Sequence, residues 1–245
     1  MDKMVLKFFP ILCLAISLNA YGFVLISGPS EAKLGADELS PQIIFQVSTD
    51  IPSIKDKDKF LDGQYAQQGD QEFYGTLIQL ALDQWNNVST SYIQLAYEFN
   101  DNAQLDSEDR IHTVAKASVN LVAAATASPQ YEDGIIYDCD ISLGSRSQSA
   151  ESLAYTLMHE FGHCLGLGHN HSDPNAVMGY TRSNLELSLG ADDIFGLSYL
   201  YPPSNLGKPK ELIACGSLGT SNSSASLSLL ALLACPLGLM LLRDS

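Results

Sequence analysis

The chain has 245 residues, 46% of them hydrophobic, a formal net charge of −15 and a sequence pI near 4.5. A phosphate backbone demands Lys and Arg, so this balance argues against a nucleic-acid partner and favours solubility instead. Roughly 180 residues between the two terminal segments suffice for one core, and a monomer is expected.

In chain order, Lys3 and Lys7 precede an apolar run from Phe8 to Leu18, and Leu18-Asn19-Ala20 offers a small-residue cleavage site, with Ala20-Tyr21-Gly22 as second choice. Residues 1–20 therefore read as a secretory signal peptide, and export makes disulfides permissible. From Gln71 to Val88 the apolar residues Phe73, Leu77, Leu80, Ala81, Trp85 and Val88 recur at helical spacing. His112 and His171 stand alone in polar segments, where a histidine is more often solvated than ligating.

The segment His159-Glu160-Phe161-Gly162-His163-Cys164-Leu165-Gly166-Leu167-Gly168-His169 carries the chemistry. Residues four apart share a helix face, so His159 and His163 can aim both imidazoles at one ion. Glu160, one position round, can reach a water beside that ion, as a general base must. Gly166 can take positive φ, end the helix and bring His169 back toward the site. With Gly at about 7% of residues, five matched positions should arise by chance about once in ten million starts or fewer. The spacing points to a zinc-dependent peptidase.

This pattern resembles the metzincin zinc endopeptidases, which also need a methionine turn shortly after the third histidine. Met178, in Asn175-Ala176-Val177-Met178-Gly179-Tyr180, stands where that turn belongs and would form an apolar floor beneath the ligands. Leu187 to Leu197 and Leu200-Tyr201-Pro202 look like the last helix of matrixin-type catalytic domains, and 71–88 like their long first helix. Leu121 to Pro129 resembles the family's edge strand, along which substrate lies as an added strand, and Ile135 to Leu143 reads as the next strand. The resemblance implies an α+β fold over residues 23–205. Its features would be a twisted, mostly parallel sheet with an antiparallel edge strand, a long first helix, a zinc-binding helix and a small C-terminal subdomain after the third histidine.

The resemblance also implies roles. His159, His163 and His169 would hold one catalytic Zn2+, with Glu160 as general base. Tyr180, two after Met178 as in the astacin and serralysin branches, would either approach the metal and stabilise the transition state or pack as a pocket wall. Asn170 stands where matrixins usually have serine. No histidine lies between Ile135 and Leu143 to hold a second, structural zinc. Asp101, Asp106, Glu108, Asp109 and the Glu132-Asp133-Gly134 turn offer ligands for Ca2+, used by related peptidases, or form solvated acidic loops; no calcium loop of fixed spacing is present. Cys139 on the strand and Cys164 on the zinc helix would form a disulfide or stay two buried thiols. The one earlier cysteine, Cys13, lies in the signal, so no cysteine switch is expected.

After Pro202-Pro203 the chain reads as a linker over 206–226 containing Cys215-Gly216-Ser217, then an apolar run from Leu227 to Leu242 ending at Arg243. At 1.5 Å per helical residue that run spans some ~24 Å, short of a hydrocarbon core of about 30 Å. Residues 227–245 are expected to be a C-terminal sorting signal of bacterial type or a membrane anchor, tethering the protein to an envelope. The reading is a secreted or surface-attached zinc metalloendopeptidase acting on extracellular proteins. The alternative is a catalytically silent zinc-containing surface protein.

Overall fold

The structure is a computed structural model that describes residues 22–28, 31–106, 108–118, 121–170, 173–179 and 186–204. The expected signal peptide, linker and C-terminal apolar segment lie outside the described residues, as do Tyr180 and His171. The elements run β1 (Val24–Leu25), β2 (Lys33–Leu34), β3 (Gln42–Ser48), β4 (Ile54–Lys55), α1 (Asp70–Asn86), β5 (Gln94–Asn100) and β6 (Thr113–Lys116). They continue with β7 (Ala125–Glu132), β8 (Ile135–Leu143), β9 (Gln148–Ser149), α2 (Ala150–Cys164), β10 (Leu167–Gly168) and α3 (Ala191–Leu200).

The main sheet is parallel except at one edge. β3 pairs in parallel with β5 on one side and β6 on the other, and β8 pairs in parallel with β6 and β2. β7 then adds antiparallel to β8 and forms the edge, as the resemblance implies. The β7–β8 connection is a tight turn in which Asp133 (φ 51) and Gly134 (φ 79) are both left-handed.

α1 forms because its apolar residues fall on one face. Phe73, Leu77, Ala81 and Trp85, with Tyr74, Ile78 and Leu82 beside them, are all buried. Each large side chain contributes roughly 1.5–3 kcal/mol of burial. The Trp85 indole N–H also donates to the Met158 carbonyl at 3.0 Å, tying α1 to α2. α2 starts at Ser149, whose hydroxyl accepts the Ser152 N–H at 3.2 Å, an N-cap. Its inner face packs on the sheet, with the Phe161 ring edge-on to Phe45 of β3 at 5.0 Å.

β8 crosses beneath α2. Cys139 and Ile141 face the helix side and join the core, and Cys139 is bonded to Cys164 at the end of α2. Strand alternation therefore turns Asp138 and Asp140 to the opposite face, where both are buried.

Candidate metal centre

α2 positions His159 and His163 one turn apart, and the chain reverses directly after it. Gly166 has φ +100, and a Cβ there would collide with the Ala32 carbonyl, so the turn requires glycine on two counts. β10 follows and delivers His169. The Nε2 atoms of His159 and His163 lie 3.2 and 3.1 Å from that of His169.

Backbone carbonyls fix the other ring nitrogens. His159 Nδ1 is 2.7 Å from the Val177 carbonyl and His163 Nδ1 is 2.8 Å from that of Leu167. A carbonyl only accepts, so each Nδ1 carries the proton and each Nε2 presents a lone pair. Burial lowers the pKa of both, that of His163 to about 4 with help from the His159 charge, which keeps the imidazoles neutral as metal ligands must be. Lone pairs this close repel unless a cation lies among them. Tetrahedral zinc with Zn–N of about 2.0–2.1 Å would separate its nitrogens by about 3.3 Å, so the set fits that ion. Among the described residues this is the group of His, Cys, Asp or Glu side chains that can hold a metal.

Glu160 sits beside the ligands, and its Oε2 accepts the Ala127 N–H of β7 at 2.7 Å. Burial pushes its pKa up to about 7, with that N–H opposing. Met178 is buried with its sulfur against Gly162 of α2; a Cβ at 162 would overlap that sulfur and lie 3.0 Å from Trp85 Cζ2. The cleft above, of about 620 Å³, lies between β7 and α2, with Ala125, Ala127, Tyr155 and Thr156 among its walls.

Other residues named from sequence fall elsewhere. His112 stands before β6 with its ring 5.4 Å from Phe45, apart from the triad, and burial lowers its pKa to about 4. Asp101 accepts the Thr49 hydroxyl at 2.9 Å, joining the ends of β3 and β5, while Asp106 accepts the Glu108 N–H at 3.1 Å and Asp109 the Ile111 N–H at 2.8 Å within their own loop. Cys139 and Cys164 form a disulfide with Cα atoms 5.6 Å apart.

Sequence reasoning missed Asp193. On the first turn of α3, it accepts the N–H groups of Val177 (2.7 Å), Met178 (3.2 Å) and Gly190 (2.8 Å), anchoring the methionine turn. An acidic residue three after a glycine that opens a helix is a capping signal that could have drawn attention to it. Gly162, inside the motif itself, was also passed over.

The matrixin family profile matches residues 63–202. Human matrilysin is 50% identical over 50 residues, which are 19% of this chain and 18% of matrilysin, so the match spans under a fifth of that relative. Among solved structures, a chain of the GM1 bound form of the ECX AB5 holotoxin aligns with a TM-score of 0.33 and 14% identity over 69% of this chain and 77% of its own; a likeness that slight supports no argument.

Proposed function

The chain belongs to the matrixin family of zinc metallopeptidases, and we propose that it is an active, secreted or surface-attached endopeptidase that hydrolyses peptide bonds of extracellular proteins. The observation that carries the reading is the meeting of Glu160 with the three converging Nε2 atoms at the floor of one cleft. Bound there, zinc supplies Lewis acidity, acidifying a water and polarising the scissile carbonyl.

This chain's residues do the rest. Glu160 takes a proton from the attacking water and returns it to the leaving amine, a role open to a carboxylate beside the three imidazoles whose Oε2 is held by the Ala127 N–H. The edge of β7 is open to an added strand, which would present a peptide bond across Glu160. Tyr180 is assigned a share in stabilising the developing oxyanion. The Cys139–Cys164 bond supports an extracellular setting, because disulfides persist in oxidising compartments. Residues 1–20 serve as the export signal, 23–205 as the catalytic domain, 206–226 as a linker and 227–245 as the sorting signal or anchor.

The test is cleavage of unfolded casein and of a quenched peptide library by the full chain beside Glu160→Ala, with zinc content measured in both. Wild type should cut, a chelator should stop it, and the variant should keep zinc while losing at least about 10²- to 10⁴-fold in rate. One zinc in each and no cutting by either would return the chain to a silent binding protein.

A further inference from the structure

The N-terminal segment reaches the cleft. Val24 and Leu25 of β1 pair antiparallel with Gly168 and Leu167 of β10, and the Ile26 N–H donates to the Gly166 carbonyl at 3.0 Å. Gly166 is the residue that turns the chain toward His169, so Ile26 is clamped to the ligand loop. A turn closes behind it, with left-handed Gly28 donating to the Leu25 carbonyl at 3.2 Å. Ile26 is thereby held, half-buried, as a wall of the cleft that contains the three histidines.

The two ends of that cleft differ. β7 begins beside the start of α2, where Gln148 Nε2 donates to the Ala124 carbonyl at 3.4 Å. It runs past Glu160 to Pro129, which stands opposite Cys139, itself bonded to Cys164 at the end of α2. Tyr155 and Thr156 therefore line one end, and His163, Pro129 and Ile26 the other.

We propose that Ile26 is a specificity-determining residue: it forms the apolar wall of a subsite at the Pro129 end of the cleft and selects an aliphatic peptide side chain there. The inference rests on the peptidase reading above. Successive side chains of an extended peptide point to opposite faces, so one on that side of the cut can turn toward Ile26. What it meets is apolar: Pro129, Ala127 and a β-branched side chain that is stiff at χ1. His163 offers no polar partner, its Nδ1 committed to Leu167 and its Nε2 to the metal position. A charged side chain would lose water against the apolar wall of Ile26 and Pro129, whereas an aliphatic one gains burial.

The experiment profiles wild type, Ile26→Asp and Ile26→Ala on a quenched peptide library randomised on both sides of the cut. Ile26→Asp should move the preference at one position, on one side only, from aliphatic to Lys or Arg by about 10- to 100-fold in kcat/KM. Ile26→Ala should admit larger apolar side chains at that same position. Profiles unchanged in both variants overturn the proposal, and so does a loss spread evenly over every position, which would make Ile26 structural. The same substitutions in zinc-loaded Glu160→Ala protein, titrated calorimetrically with peptides differing at that position, give the comparison without turnover. If wild type cuts nothing, the peptidase reading fails while these titrations still decide the role of Ile26; absence of any peptide binding overturns both.

Discussion

Asp193 governs His159 through Val177: the carboxylate accepts the Val177 N–H at 2.7 Å, and the Val177 carbonyl lies 2.7 Å from His159 Nδ1. An acidic residue on α3 thus orients a histidine of the candidate metal site on α2. Removing it in Asp193→Ala strands the N–H groups of Val177, Met178 and Gly190 in a buried setting, at about 1–3 kcal/mol for each group left unpaired. Outer partners of metal ligands are typically worth 10- to 100-fold in metal affinity. We expect that loss in a competitive chelator titration, with Asp193→Asn intermediate. A folded Asp193→Ala protein of unchanged zinc affinity would sink the idea.

Gly162 is predicted to matter for a packing reason. A Cβ there overlaps the Met178 sulfur, and overpacking of this kind costs about 1–3 kcal/mol. Denaturant melts should show Gly162→Ala destabilised by that amount, with Met178→Ala restoring part of it in the double variant. Strictly additive losses would mean that the two residues do not compete for one space.

The convergence of His159, His163 and His169 is legible in the sequence because a helix has a fixed period and one glycine ends it. The resemblance to the family's strand order gives β8 its observed limits, Ile135 to Leu143. For β7 it does not: Leu121 to Pro129 was expected, yet the strand is Ala125–Glu132. The resemblance places the edge strand from Leu121, but Val122 is 90% exposed and the ladder continues instead through Gln130, Tyr131 and Glu132, whose backbones pair whatever their side chains. The capping place of Asp193 is legible in the sequence, but its hold on the methionine turn is not, and neither is the place of Ile26. Each acts through a segment that becomes its neighbour only when the chain folds, Asp193 on 177–178 and Ile26 on Gly166.

The Cys139–Cys164 bond closes a 25-residue separation and anchors the end of α2 to β8, one residue beyond His163. Loop closure of that length is worth about 3.5 kcal/mol in the chain-entropy model. The variant with both cysteines changed to alanine should lose about that much stability in urea titration and keep its zinc while folded. A loss below about 1 kcal/mol would mean that native packing alone holds β8 against α2.

Asp138 and Asp140 should tilt stability with pH. Asp138 and Asp140 are buried beneath a loop that carries Asp106 and Asp109, and the groups that favour their ionised forms are backbone N–H donors, of Arg110 and Cys139 for Asp138 and of Asp106 for Asp140. Burial first, then neighbouring carboxylates, push their pKa values from 3.8 up to about 6 and about 7. Raised acid pKa values mean that the folded state binds more protons than the unfolded one between about pH 4 and 7. Stability from this pair is therefore full below pH 4 and falls as pH rises through that window. His112 acts in the opposite sense: its pKa, lowered to about 4, makes stability rise with pH up to its ordinary value near 6.5. The diagnostic is accordingly a difference, between wild type and Asp138→Asn/Asp140→Asn, with zinc saturating throughout. The variant should match wild type near pH 4 and gain on it steadily to pH 8. A constant gap across that range would show that these carboxyls do not titrate with the fold.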